Sequence, residues 1–219
     1  MNRHRQLIAL GTLALLLVIA GGIAIAIGGS SNPAPAASAA PAGFGPFLTA
    51  SAIPQGLGGR AVPAFHLTDA RGGTLSSVSV RGRPYAITFL YVHCVDVCPL
   101  IGSEIHDALA KLGPQAQRIN VIAISVDPRG DTRDAVRRWL ALHQEPANFH
   151  YLTGSERALA PVWKAFYVSP QTPGDPHSSH TAVIWLINRQ GRLAALISAG
   201  VPINTTNLAH DFRVLIDQA

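Results

Sequence analysis

The stretch Tyr85-Ala-Ile-Thr-Phe-Leu-Tyr-Val-His-Cys-Val-Asp-Val-Cys-Pro99 decides the fold of this chain. Its apolar first half, Tyr85–Val92, predicts a buried central β-strand. The chain's two cysteines, Cys94 and Cys98, follow at the point where the strand should give way to a helix. Pro99 fits the first turn of that helix, where its missing N–H costs little. The sequence therefore predicts a strand, a cysteine loop and a helix in succession.

The spacing of Cys94 and Cys98 suggests that their sulfurs meet. Side chains four residues apart share one face of a helix, so the two sulfurs can form a disulfide or bind one ion. The amino terminus of a helix also lowers a thiol pKa, which favours the thiolate needed for metal binding or redox exchange. A purely structural disulfide is the competing interpretation, although closing so short a loop removes little entropy from the unfolded chain.

Apolar periodicity predicts the other elements around this unit. Strands are expected at Phe65–Leu67, Val121–Val126, His150–Leu152, Ala182–Ile187 and Leu193–Ser198, and helices at Pro99–Leu112, Thr132–His143, Ser155–Tyr167 and Asn207–Asp217. Asp131 is placed to cap the helix that follows it. This order predicts an α/β fold, a mixed sheet with helices on both faces that binds ligands at the carboxyl ends of its strands.

Two thiols make a sparse metal site, so a third donor is sought among the nine histidines. His180 stands just before the strand Ala182–Ile187, but 82 residues separate it from Cys98, so only the fold can bring them together. His93, beside Cys94, and His177 are rivals. Five others are interpreted as surface or locally bonded residues; they are His66, His106, His143, His150 and His210.

The amino terminus predicts a membrane anchor. Residues 1–6 form a short basic stub, and the uncharged apolar run Leu7–Ile27 is about as long as a bilayer core requires. The positive cluster should stay in the cytoplasm, which places the rest on the periplasmic side of the inner membrane. Cleavage as a signal peptide stays open. Residues 28–47, rich in Ala, Pro, Ser and Gly, should form a flexible linker, leaving residues 48–219 as the folded domain.

Charge excludes one function class and leaves another undecided. The formal net charge is +5, yet the basic residues are scattered among acids and form no stripe interleaved with aromatics. A nucleic-acid partner is therefore not expected. A preference for acidic partners or anionic lipids stays open.

Four segments resemble the Sco/SenC family of copper-assembly proteins, and the likeness spans roughly residues 65–200. They are FHLTDARG at 65–72, YVHCVDVCP at 91–99, SVDPRGDT at 125–132 and LTGS at 152–155. The family's histidine lies in a DHS-type segment that reads Ser179-His180-Thr181 here. Two residues depart from the family's pattern: Val95 replaces a usual Pro, and Ser179 stands where Asp is common.

The resemblance implies a thioredoxin-like fold in which Cys94, Cys98 and His180 bind copper. It also implies delivery of that copper to the CuA site of cytochrome c oxidase, with the oxidase subunit and possible further copper chaperones as partners. Soft thiolates with an imidazole suit Cu(I), and a thioether ligand is excluded because the only methionine is Met1. Zinc prefers four ligands in structural sites, which would require His93, His177, Asp96 or water.

Other functions compete for the same cysteines. The pair could serve an extracytoplasmic thiol–disulfide oxidoreductase that reduces the Cys pair of an apo oxidase subunit or of another exported protein. Both cysteines would then be catalytic and pass through a disulfide, although such enzymes usually carry Cys-x-x-Cys. A copper or redox sensor cannot be separated from a chaperone by sequence. Asp96 is interpreted as a helix cap in preference to a weak ligand. Asp127, Arg129 and Asp131 fit either a docking face or ordinary turns and caps.

Overall fold

The computed structural model describes residues 45–51, 53, 56–172, 181–199 and 202–218. The predicted membrane span Leu7–Ile27 and most of the predicted linker lie outside these ranges. Within them, no helix has the length and apolar character needed to cross a membrane.

Seven strands and four α-helices make up the described domain. The strands are β1 (His66–Asp69), β2 (Thr74–Ser76), β3 (Tyr85–Leu90), β4 (Asn120–Ser125), β5 (Phe149–Thr153), β6 (Val183–Ile187) and β7 (Leu193–Ser198). The α-helices are α1 (Val97–Leu112), α2 (Arg133–Leu142), α3 (Glu156–Ala165) and α4 (Thr205–Asp217), and a 3₁₀ helix follows α1 at Gly113–Arg118.

The strands form one mixed sheet in the order β2-β1-β5-β4-β3-β6-β7. The central strands β3, β4 and β5 run parallel, with Leu90 opposite Ser125 at the end of the β3–β4 pairing. The outer pairings, β1 with β5, β1 with β2, β3 with β6 and β6 with β7, are antiparallel. All six residues of β3 are buried, as expected for a strand covered on both faces. The predicted mixed sheet is therefore confirmed.

Ring contacts show that helices cover both faces of this sheet. The Trp139 ring of α2 lies 6.3 Å from the ring of Phe149 and 5.8 Å from that of Tyr151, which share one face of β5. Phe166, at the end of α3, lies 5.5 Å from Phe89. Parallel register places Tyr151 level with Thr88 of β3, and Thr88 and Phe89 point to opposite faces. Helices on both faces, as predicted, are confirmed.

The predicted boundaries differ from the structure at a few elements. β3 ends at Leu90 and not at Val92, and α1 begins at Val97, two residues before Pro99. Gly113 ends α1 with φ near +57°, a backbone conformation that favours glycine, and the chain continues as the 3₁₀ helix, which was not predicted. The three-residue strand β2 was not predicted, because so short a segment carries no measurable periodicity.

Asp211 ties the start of the described domain to α4. Its carboxylate is fully buried and accepts hydrogen bonds from the backbone N–H groups of Leu48, Thr49 and Ala50 at 2.6, 2.8 and 3.1 Å. The segment at 48–50 is thereby fixed on the domain by three charge-assisted hydrogen bonds.

Candidate metal centre

Both cysteines lie at the carboxyl end of β3, the central strand of the sheet. Cys94 is buried in the loop between β3 and α1, and its backbone N–H donates to the Tyr91 carbonyl at 3.3 Å. Cys98 is completely buried in the first turn of α1. Cys94 therefore lies in the predicted junction between the strand and the helix, whereas Cys98 already belongs to α1.

The two sulfurs converge, although they do so by a different route from the one predicted. Cys94 precedes α1, so the pair does not share one helical face. Instead the loop folds back onto the helix, and the Cys98 N–H donates to the Cys94 Sγ at 3.4 Å. Both cysteines are thiols that are not joined in a disulfide. The pair therefore presents two sulfurs to one small region without a covalent link between them.

The expected depression of the thiol pKa by the helix amino terminus is wrong for Cys98. Burial raises the pKa of this thiol, and its hydrogen bond with Cys94 and the negative charge of Asp131 act in the same direction. The single hydrogen bond with the Tyr91 backbone opposes them. Desolvation outweighs the helix terminus because Cys98 has no exposed surface. A metal that binds this sulfur must therefore displace a firmly held proton.

Val95 and Asp96 are exposed residues of the loop at 91–96, between β3 and α1, which is called the cysteine loop below. Asp96 stands at the N-cap position of α1, but its side chain makes no capping hydrogen bond, so the predicted cap is wrong. Its backbone, at φ −121° and ψ −98°, is not in the extended conformation typical of a capping residue. Val95 is 72% exposed.

The loop at 127–132 adjoins the cysteine loop from the side of β4. Asp127 Oδ1 accepts hydrogen bonds from the backbone N–H groups of Arg129 and Gly130, at 3.2 and 2.9 Å, so this side chain forms the turn. His93 is exposed, and a Cβ added at Gly130 would lie 2.9 Å from its Nδ1. The ring of His93 therefore rests against this loop, which leaves room only for glycine at position 130.

Asp131 is not the helix cap that the sequence predicts. Thr132 takes that role, because its hydroxyl accepts the Ala135 N–H at 3.2 Å. Asp131 points inward and accepts hydrogen bonds from the Val92 N–H, the Ser125 hydroxyl and the Tyr151 hydroxyl. The sequence signal favoured the wrong residue, since Asp is generally preferred over Thr as a helix cap.

His180 and its rival His177 lie outside the described residues, so their predicted roles stay predictions. The described residues on either side of them can be located. The Ser169 N–H donates to the Thr181 hydroxyl at 3.2 Å, and the Gln171 N–H donates to the Val126 carbonyl at 3.0 Å. Val126 in turn donates its N–H to Leu90, the last residue of β3. Both flanks therefore lie at the edge of the sheet that carries the cysteines.

Four of the other histidines are bonded locally, as the sequence analysis expects. His66 contacts the Thr74 hydroxyl, His150 pairs with Asp69, His210 contacts Asp211, and the His143 ring lies 4.2 Å from that of Trp139. The buried Nδ1 of His106 has no hydrogen-bond partner among the described residues. Among the described residues, no three His, Cys, Asp or Glu side chains come together as a complete metal site.

The sequence is similar to that of a known protein family and of a curated bacterial protein. The sequence model of the SCO1/SenC family matches residues 55–216. A proposed copper-binding protein of Stutzerimonas stutzeri is 27% identical over 150 residues, which cover 66% of this chain and 72% of that protein.

Solved structures agree with the sequence comparison. Bradyrhizobium japonicum ScoI, solved with copper bound, is 32% identical with a TM-score of 0.60, and the match covers 71% of this chain and 99% of that one. BsSco, described as a member of the Sco family of cytochrome c oxidase assembly proteins, is 18% identical with a TM-score of 0.65, over 74% of this chain and 96% of its own. The second likeness concerns the fold alone.

Proposed function

The chain belongs to the SCO1/SenC family, and on that premise we propose that it is a membrane-anchored copper chaperone. In this proposal Cys94, Cys98 and His180 hold one copper ion, which is delivered to the CuA site of cytochrome c oxidase. The copper is cargo, bound on one protein and released to another.

The observation that carries the proposal is the convergence of two thiols at the end of the central strand. The Cys98 N–H to Cys94 Sγ hydrogen bond places one sulfur beside the residue that bears the other. Two soft sulfurs together favour Cu(I) over hard cations such as Mg²⁺ or Ca²⁺. A third ligand from a different segment would let a partner protein displace one donor at a time.

His180 is the proposed third ligand because its flanking segments end at the same edge of the sheet. β6 runs antiparallel to β3, with Ile184 opposite Thr88, so the amino end of β6 lies beside the carboxyl end of β3. Thr181, the residue after His180, is bonded to Ser169 at that edge. These contacts support His180 as a donor from within a short reach of the thiols.

Delivery to the oxidase is proposed from the relatives. ScoI of Bradyrhizobium japonicum is solved with copper bound, and BsSco is described as belonging to a family of oxidase assembly proteins. The proposed anchor Leu7–Ile27 would hold the domain beside a membrane-embedded recipient, with the linker at residues 28–47 giving it reach.

A dedicated thiol–disulfide oxidoreductase fits the thiol pair less well. Such an enzyme needs a nucleophilic thiolate near neutral pH. Burial raises the pKa of Cys98, and this thiol is completely buried. Copper can drive the proton off the sulfur through the free energy of metal binding, whereas a disulfide substrate cannot.

An anaerobic Cu(I) competition titration on the full-length protein in detergent tests the metal site. The parent should bind one copper ion per chain, and Cys94→Ser, Cys98→Ser and His180→Ala should each weaken binding by more than about tenfold. His177→Ala is the matched control, three residues away in the same segment, and should bind as the parent does. Equal affinity in the parent and in His180→Ala would refute the ligand set.

Copper transfer tests the function itself. The copper-loaded protein is mixed anaerobically with the metal-free, reduced CuA domain of an oxidase subunit, the two proteins are separated, and the copper bound to the CuA domain is measured. The proposal expects copper to appear on the CuA domain with the parent and not with Cys98→Ser. Rapid reduction of an oxidised CuA domain without any metal transfer would support the oxidoreductase instead.

A further inference from the structure

Asp131 is a buried carboxylate that the copper-binding proposal does not use. It lies in the loop between β4 and α2 and is only 3% exposed. The capping role expected for it belongs to Thr132. A charged side chain without a capping function in so buried a place must be held there by specific partners.

Three hydrogen bonds connect this carboxylate to three neighbouring strands. Oδ1 accepts the Val92 N–H at 2.8 Å, just past the end of β3. Oδ2 accepts the Ser125 hydroxyl of β4 at 2.6 Å and the Tyr151 hydroxyl of β5 at 3.1 Å. Both carboxylate oxygens are thereby occupied at the sheet edge that carries the thiols.

The bond from Val92 is the one that reaches the cysteines. The β3–β4 pairing stops at Leu90, so the Val92 N–H lies beyond the ladder and is taken by Asp131. Val92 is two residues before Cys94, and the next turn closes with the Cys94 N–H on the Tyr91 carbonyl. Fixing Val92 therefore fixes the turn that aims the Cys94 sulfur at Cys98.

The carboxylate is suited to this anchoring. Burial raises the pKa of Asp131 to about 6, while its bonds from Ser125, Val92 and Tyr151 lower it. At pH 7 the group is therefore mostly ionised, and an ionised acceptor makes a stronger hydrogen bond than a neutral one. Hydrogen bonds donated by the Ser125 and Tyr151 hydroxyls stabilise the buried negative charge of the carboxylate.

We propose that Asp131 is the positioning residue of the thiol pair, which it holds in register by anchoring the Val92 N–H at the end of β3. The proposal deepens the copper-binding function, and the measurement of copper affinity described below rests on that function. The measurement of thiol reactivity needs no metal and tests the positioning role separately.

Thiol accessibility in the metal-free, full-length protein is the first measurement, with 5,5′-dithiobis(2-nitrobenzoate) as the probe. Removing a buried hydrogen-bonded acceptor should raise the local opening of the loop, so Asp131→Ala should react about tenfold faster than the parent. Asp131→Asn keeps an acceptor for the Val92 N–H and should react within about threefold of the parent.

Asp211→Ala is the matched control for general destabilisation. Asp211 is also a buried carboxylate, and it also accepts three hydrogen bonds, but from residues 48–50, not from the cysteine loop. Its loss should lower the free energy of unfolding without raising the thiol rate. If Asp131→Ala does not fold, Tyr151→Phe removes one of the bonds that hold the carboxylate and should give a smaller increase in the same direction.

The second measurement is the Cu(I) affinity of the same variants. Asp131→Ala should bind copper about 10- to 100-fold more weakly, with Asp131→Asn close to the parent. The proposal would be overturned if Asp131→Ala and Tyr151→Phe kept the thiol reaction rate of the parent. It would also be overturned if Asp211→Ala raised that rate as much as Asp131→Ala does, or if Asp131→Asn lost as much copper affinity as Asp131→Ala. A parent that binds no copper while the thiol rates follow the expected order would refute the proposed function and leave the positioning role standing.

Discussion

The thiol of Cys98 decides how copper binding depends on pH. Its complete burial raises the thiol pKa, so the metal-free protein keeps this proton throughout the neutral range. Binding of copper to the sulfur must then release the proton into solution.

Copper affinity should consequently rise with pH. Each thiol proton released on binding contributes up to about a tenfold gain in affinity per pH unit. Cu(I) competition titrations between pH 6 and pH 8 in the parent and in Cys98→Ser measure this slope, which should be shallower in the variant. Equal slopes would mean that the Cys98 proton is not displaced.

Glu145 shows the same effect of burial on a carboxylate outside the metal site. It is 6% exposed, neither of its oxygens has a hydrogen-bond partner among the described residues, and burial raises its pKa to about 8. Above about pH 4.5 the folded protein keeps the Glu145 proton that the unfolded chain releases. The contribution of protonated Glu145 to the free energy of unfolding is therefore fully present below about pH 4.5 and is lost as the pH rises toward about 8.

Glu145→Gln should therefore remove a pH-dependent loss of stability. At pH 8 the variant should be more stable than the parent by an amount on the order of 3 kcal/mol, and at pH 5 the difference should be much smaller. Urea unfolding at the two pH values measures it. Glu156→Gln, at an exposed position in α3, is the control and should change stability little at either pH. A gain that does not depend on pH would contradict the assigned cause.

At the scale of elements, the contact between α1 and α2 depends on one glycine. A Cβ added at Gly102 would lie 2.8 Å from the Trp139 ring, closer than real Cβ contacts allow. That ring cannot easily move, because it also packs against Phe149 and Tyr151. The glycine lets the two helices approach near the cysteine end of the domain.

Gly102→Ala tests this contact. Alanine favours a helix over glycine by about 1 kcal/mol, but overpacking costs about 1–3 kcal/mol, so a net loss of stability is expected. Gly58→Ala, where no atom lies within 4 Å of the added Cβ, is the control and should be nearly neutral. Urea unfolding of both variants measures the difference. A more stable Gly102→Ala would contradict the packing described.

The long elements could be predicted from the sequence because their apolar periodicity reports burial directly. β3, α1 and the β6–β7 hairpin follow that pattern within a few residues of their true ends. β2 is too short to show a pattern, and the 3₁₀ helix starts at a Gly-Pro pair that also favours a loop. Local patterns cannot separate these choices, because tertiary contacts decide them.

In the site, too, the sequence predicted what depends on neighbouring residues better than what depends on residues far apart in the chain. The spacing of Cys94 and Cys98 indicated a converging pair, since both lie on one short segment. His180 was singled out among nine histidines only by family resemblance, because 82 residues separate it from Cys98. Asp131 was misassigned, because its partners Ser125 and Tyr151 come together only through the parallel pairing of β4 with β5.

For the whole molecule, the proposal joins a membrane anchor, a linker and a thioredoxin-like copper domain. The domain is fixed at its described start by the bonds of Asp211 to residues 48–50.

Membrane attachment should depend on the apolar run Leu7–Ile27. The full-length chain should stay in the membrane pellet after an alkaline wash, because about 20 apolar residues suffice to span a bilayer. Replacing Leu13 and Leu16 by Asp should release it into the soluble fraction, whereas replacing both by Ile should not. A parent chain recovered in the wash would contradict the anchor.

X-ray absorption at the copper edge of the Cu(I)-loaded, full-length protein tests the central claim most directly. The account predicts two sulfurs and one histidine nitrogen around each copper ion in the parent, with the nitrogen lost in His180→Ala and kept in His177→Ala. The same ligand shell in the parent and in His180→Ala, or a shell with a single sulfur, would contradict it.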